Sequence, residues 1–232
     1  MPRRGVTASD LIEELETNPA RRQAEIDREL FRQQTLERRR RAAVPVVADL
    51  RRHGYAVDSI SDLFNSRMNY RAVIPVLIHW LPLVEDPAVK EDIARALAVP
   101  WARPAAGPVL LAEFKGTSSE QLRWALANSL AVVAADDLLP EMLPLVQDVN
   151  IGKPREMLVL ALGNMRDQSA TQALINLLHD EQVVGHALMA LKRQANPDAA
   201  RDIEPLLKHP KTWVRREAKA ALAKIARPQE GV

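Results

Sequence analysis

Chemistry in a protein without cysteine must come from histidine, carboxylates, hydroxyls and cations, and this 232-residue sequence contains no cysteine. Disulfides, thiolate metal ligands and cysteine nucleophiles are excluded together. Five histidines remain: His53, His79, His179, His186 and His209. No two stand three or four residues apart and none precedes a glutamate, so the usual metal-ligand spacings are missing. No Gly-rich phosphate loop or nucleophile elbow is present either. The sequence therefore offers no catalytic residue, no cofactor-binding residue and no metal ligand, and it reads as non-enzymatic.

Three sets of residues could instead bind something. Lys90, Arg123, Arg155 and Arg215 recur at a near-regular interval, with Val184 in the place of a fifth cation. Such a column could be a ladder of phosphate contacts or internal ion pairing. Trp124, Asn128, Leu160 and Met189 form a second set, whose large apolar members would make a patch for a protein partner if exposed. Arg38, Arg39, Arg40 and Arg41 form a third, able to hold phosphates of a nucleic acid or to be a solvated face balanced by nearby acids. The solvated face is the better reading, because four acids accompany eight arginines across residues 20–41.

The elements that must position these residues are set by an internal repeat. Leu97, Leu130, Leu162, Leu191 and Leu222, each preceded by a small residue, are spaced by 33, 32, 29 and 31 residues. Pro75, Pro108 and Pro140 keep the same beat, each 22 residues before a repeat leucine. A period of this length marks stacked supersecondary units. Each unit reads as two helices. The first are centred on 74–81, 108–114, 139–146, 172–178 and 203–207. The second run over 87–98, 119–134, 154–165, 182–193 and 212–226, with Ser118 or Ser119 and Thr212 as candidate N-caps.

Positions four and eight before each leucine are mostly apolar: Ile93, Leu126, Leu158, Ala187 and Ala218, then Val89, Leu122, Pro154, Val183 and Val214. At about 100° per residue they share one stripe with the leucine. The basic column, seven before the leucine, sits beside that stripe in the first helical turn. This place favours a structural ladder bonded to acids of neighbouring units, with Asp86 and Asp180 as candidate acceptors. Trp124, Leu160 and Met189 fall on the opposite face.

The run Asp86-Pro87-x-Val89-Lys90, followed by Ala94-x-Ala96-Leu97-Ala98, and the later Trp213-Val214-Arg215-Arg216 with Ala220-Ala221-Leu222-Ala223, resemble HEAT and phycobilisome-lyase-like HEAT repeats. The stretch Ser59–Leu81, with Asp62-Leu63-Phe64-Asn65 and Tyr70 to Leu77, is similar to the lead-in of uncharacterised bacterial HEAT-repeat proteins. The resemblance covers about residues 70–227. It implies an all-α, right-handed α-α superhelix of five HEAT-like hairpins over residues 70–228, behind a charged arm and helical cap over 1–69. It further implies a protein-binding scaffold or adaptor acting through the inner face. HEAT enzymes that hydroxylate a modified lysine carry repeated His-Glu pairs, which this sequence lacks. A DNA-base glycosylase class built on HEAT-like repeats is the alternative, for which Trp101, Trp124, Asp92 and Arg123 would be the site.

Composition bounds the remaining possibilities. The sequence is 47% hydrophobic but only 4% aromatic, with Ala and Leu prominent and no sustained alternation, as expected for helices. Residues 55–200 carry 12 basic against 17 acidic groups, whereas 201–232 carry 8 against 4, which disfavours a continuous groove for duplex DNA. No signal-peptide pattern or membrane span is expected, which places the chain in the cytoplasm without a membrane partner. In the arm, a short helix over 11–15 is expected to stop at Asn18-Pro19. A charged helix follows from Ala20 to about Arg41, then an apolar stretch (Val44, Val47, Leu50) ending at His53-Gly54. The thin stripe of Ile26, Leu30 and Phe31 suits either an end cap or self-association.

Overall fold

A computed structural model describes residues 18–66 and 68–227, and the short helix expected over 11–15 lies outside these residues. The described residues are helical, with no strand among them. The chain divides into two units, Met1–Val44 and Pro45–Val232.

Helix α1 runs from Pro19 to Arg52 as one element. Asn18 starts it: its Oδ1 accepts from the Ala20 amide at 3.0 Å, leaving Pro19 where a missing N–H costs nothing. The break expected near Arg41 does not occur, although Pro45 lies inside the helix. Val46, Val47 and Leu50 are buried, and their packing holds the last turns against the hydrogen bond that Pro45 cannot make. In the first unit Ile26, Leu30, Phe31, Leu36 and Val44 are exposed. Arg21 pairs there with Glu25 at 3.3 Å and Arg32 with Glu29 at 3.1 Å.

In the second unit, α2 (Ser61–Asn65) precedes five pairs of helices. They are α3 (Ile74–Leu83) with α4 (Pro87–Leu97), α5 (Gly107–Gly116) with α6 (Glu120–Val133), and α7 (Leu139–Gln147) with α8 (Pro154–Leu162). Then come α9 (Gln168–Asn176) with α10 (Val184–Gln194), and α11 (Ala200–Ile203) with α12 (Thr212–Ile225). Helix starts follow local rules. Asp86 Oδ1 accepts from the Ala88 amide at 2.9 Å, Ser119 Oγ from the Leu122 amide at 3.3 Å, and Pro87 and Pro154 open their helices. Thr212 does not cap α12. The cap position belongs to Lys211, and Thr212 Oγ1 instead accepts from Arg215 Nη2 at 2.9 Å. The first helix of the last pair is cut to four residues and continues as a 3-10 turn over Glu204–Lys208, because Pro205 has no amide to continue the α pattern.

Each first helix packs on its partner, and the second helices pack in succession, α4 on α6, α6 on α8, α8 on α10 and α10 on α12. The repeat leucines occupy these contacts: Leu97, Leu130, Leu162 and Leu191 are 0% exposed, while Leu222 is half-buried. The small residue before each leucine lets neighbouring backbones approach. Ser129 there reaches across to donate to Ala94 O at 2.7 Å. At the other end, Trp80 Nε1 donates to Asp49 Oδ2 at 2.8 Å. That bond, with Arg52 and His53 nearby, holds the Asp49 carboxyl below its usual range.

Candidate binding face

The basic column stands beside the buried stripe in the first turns of the second helices, and its members differ in what they touch. Lys90 on α4 is ion-paired with Glu113 on α5, the first helix of the next pair. Arg155 on α8 has a side chain only 2% exposed. Its Nε donates to Val146 O at 2.7 Å and its Nη2 to Asp180 Oδ2 at 2.6 Å, in the turn of the following pair. Burial pushes the Asp180 carboxyl up, but the Gln182 amide and the Arg155 guanidinium outweigh it and hold the pKa below its ordinary value. Arg123 makes no ion pair among the described residues, and its guanidinium lies over the Phe114 ring, 5.0 Å from the centroid. Arg215 turns back on its own helix start, with Nη1 donating to His209 O at 2.7 Å and Pro210 O at 2.8 Å. Asp180 is thus an acceptor for this column, while Asp86 caps α4.

The far side of the same helices carries the apolar set. Trp124 is 38% and Met189 41% exposed, and Trp213 is exposed at 44%. Leu160 and Asn128 are half-buried, and Asn128 Nδ2 donates to Trp124 O at 2.7 Å. Trp213 belongs to this face but was not among the residues expected there, because it lies one position into α12, a turn ahead of the six-before-leucine row. The available signal was glycine at 185. A Cβ on Gly185 would stand 2.6 Å from Trp213 Cη2 and closer still to Cζ3, so the indole rests on a place only glycine leaves free.

A second column on this side, two residues after each leucine, was also missed. Asn164 Nδ2 donates to Ala131 O at 2.9 Å. Arg193 Nη1 donates to Asn164 Oδ1 at 2.8 Å and to Ala131 O at 3.3 Å. Side-chain donors are thereby placed on the carbonyls that end α6, where the helix leaves acceptors unsatisfied. Arg103 donates to Val132 O at the same end. Between α8 and α10, His186 Nε2 lies 3.7 Å from Glu156. Burial lowers the pKa of His186 more than Glu156 raises it.

The remaining sequence candidates are spread over the molecule. Trp101 lies edge-on to Tyr70 at 5.8 Å, with Arg71 5.4 Å above its ring. Asp92 is buried on α4. Arg38 to Arg41 lie on α1 in the first unit, with Arg38, Arg40 and Arg41 exposed and Arg39 half-buried. Among the described residues no group of three or more His, Asp or Glu could hold a metal ion. No described helix is long and apolar enough to cross a membrane.

No protein-family model matches the chain, and no curated protein matches it. Among solved structures, an engineered protein from the Northeast Structural Genomics Consortium is similar, with a TM-score of 0.50 and 20% identity. The match covers 72% of this chain and 88% of that one. A second engineered protein from the same consortium is 21% identical over 72% of this chain and 90% of its own, at a TM-score of 0.47. At such identity the likeness speaks to fold alone.

Proposed function

We propose that the chain is a non-enzymatic binding scaffold, a right-handed HEAT-type solenoid that holds a protein partner on its inner face, the solvent-exposed side of its second helices. The observation that carries this reading is the exposure of Trp124 and Met189 on helices whose leucines are fully buried. A stacked array needs the leucine side for its own cohesion. Large apolar side chains left in water on the other side contribute nothing to that cohesion, and tryptophan is the residue type most enriched where binding energy concentrates. The packing of α4, α6, α8, α10 and α12 in chain order supports the solenoid, as does the single register of their leucines. The basic column suits internal cohesion better than phosphate binding, since Lys90 and Arg155 are engaged by Glu113 and Asp180.

The test compares the partners captured from the native cell extract by the wild-type chain and by Trp124→Ala with Leu160→Ala. Unchanged circular dichroism and melting would first show that the fold is kept. The expected outcome is loss of the specific partner from the double variant. Retention of every captured protein would end this reading of the face.

A further inference from the structure

Beyond Met189 the exposed face opens into a groove between α10 and α12, with a volume of about 530 Å³. Its floor is apolar, formed by Met189, Ala220 and Ala223. Its rim is made of cations: Lys192, Arg193, Lys224 and Arg227. We propose that this groove takes an acidic segment of a partner protein, carboxylates on the rim and an apolar side chain on the floor. The inference rests on the scaffold reading and names the chemistry of its partner.

Cations in the last turn of a helix are ordinarily explained by the helix dipole, so the charges must be weighed. The two helix ends contribute about −0.5 each. Glu217, which holds Lys192 at 3.0 Å, adds one more negative charge. Against four cations this leaves an excess of about two positive charges. The two halves of the rim also differ. Lys192 is fixed by Glu217, and Arg193 by Asn164 at 2.8 Å, so both are held in place before a ligand arrives, which lowers the ordering cost of binding. Lys224 and Arg227 have no side-chain hydrogen bond or ion pair among the described residues and remain available to a carboxylate.

The floor decides between an acidic peptide and a nucleic acid. Single-stranded nucleic acid is gripped by aromatic platforms on which bases stack, and among the described residues no aromatic side chain lines this groove. A duplex needs a long track of cations, whereas the adjoining α8 sets an acid, Glu156, 3.7 Å from His186 on α10. A thioether and two alanine methyl groups suit a leucine, isoleucine or methionine side chain, and methionine adapts readily to the shape of such a guest.

The experiment measures fluorescence anisotropy of a labelled short peptide of alternating Glu and Leu at low and physiological salt. The control probes are the same peptide with Gln for Glu and a single-stranded oligonucleotide of similar length. The wild-type chain should bind the acidic peptide, and more weakly as salt rises. Lys224→Glu with Arg227→Glu should weaken it roughly tenfold or more. Three outcomes would overturn the proposal: no binding of the acidic peptide at low salt, equal binding by the charge-reversed variant, or tighter binding of the oligonucleotide. The two readings fail separately. If Trp124→Ala with Leu160→Ala loses the cellular partner but the groove variant neither loses it nor changes peptide binding, the face survives and the acidic ligand does not.

Discussion

Arg155 ties its own helical pair to the next through Val146 O and Asp180. Its side chain is 2% exposed, and the carboxylate it meets at 2.6 Å belongs to Asp180, 25 residues away. Removing that acid strands a buried cation, so Asp180→Ala should cost about 3 kcal/mol, the low end for breaking a buried pair because the Asp180 side chain is 25% exposed. Arg155→Met, which removes the charge and keeps the volume, should cost less than half as much in urea unfolding. Equal losses would show that packing, not the ion pair, fixes the site. His186 supplies the pH dependence. Burial holds its folded pKa below the ordinary histidine value, with Glu156 opposing, so the fold favours the neutral ring. The stability it contributes is complete above the unfolded value and is lost as pH falls through the folded one. Between about pH 7.5 and 5 the melting temperature of wild type should therefore fall more steeply than that of His186→Gln, and parallel curves would remove His186 from this role. The column itself was legible from a seven-residue offset to a repeat leucine. Of its partners Asp180, which meets Arg155, was legible too, and the others were not, because side-chain reach depends on how far neighbouring pairs are staggered. That is why Arg123 ended over Phe114 and Arg215 on its own helix start.

Two glycines show how the elements are spaced. A Cβ on Gly163, at the end of α8, would lie 2.8 Å from Ala190 Cα and 3.0 Å from Ala190 O. Backbone must then move, and α8 and α10 must separate. A Cβ on Gly185 meets only the outer ring of Trp213, which is 44% exposed and free to swing toward water. Gly163→Ala should accordingly destabilise by about 1–3 kcal/mol, as overpacking does, and Gly185→Ala by less, with a changed Trp213 fluorescence as its main sign. Trp213→Ala should relieve the second substitution and leave the first untouched, and any other pattern in the two double-mutant cycles would contradict the contact. Helix boundaries were readable wherever a cap or proline stood at the start, as at Asp86, Ser119 and Pro154. They were misread at two interior prolines, Pro45 and Pro205, but not at Pro144, which α7 carries over the expected span. Pro45 is carried within α1 by the burial of Val46 and Leu50, whereas Pro205 ends α11, whose following turn buries no side chain. The difference is tertiary support, which local sequence does not report.

Over residues 45–227 cohesion passes from one second helix to the next, and the five repeat leucines record how evenly it does so. Four are 0% exposed, and Leu222 on α12 is half-buried. The helical pairs were legible because leucine and proline keep one beat along the chain. The outward face was legible only as a phase, and Trp213 escaped it because its place depends on the space above Gly185. A linear order of contacts makes stability a sum of local and nearest-neighbour terms, so the molecule should not open all at once. Native-state hydrogen exchange should find the amides of α6, α8 and α10, each packed between two second helices, the slowest, and those of α12 the fastest of this row. Leu130→Ala should cost about 2–5 kcal/mol and speed exchange in α4 and α8 as well as in α6, since its cavity lies within shared contacts. Leu222→Ala should cost less than half of that and speed exchange in α12 alone. One common exchange free energy for all five second helices, with both variants lowering it equally, would mean that residues 45–227 fold as a single cooperative body and that nearest-neighbour stacking does not govern them.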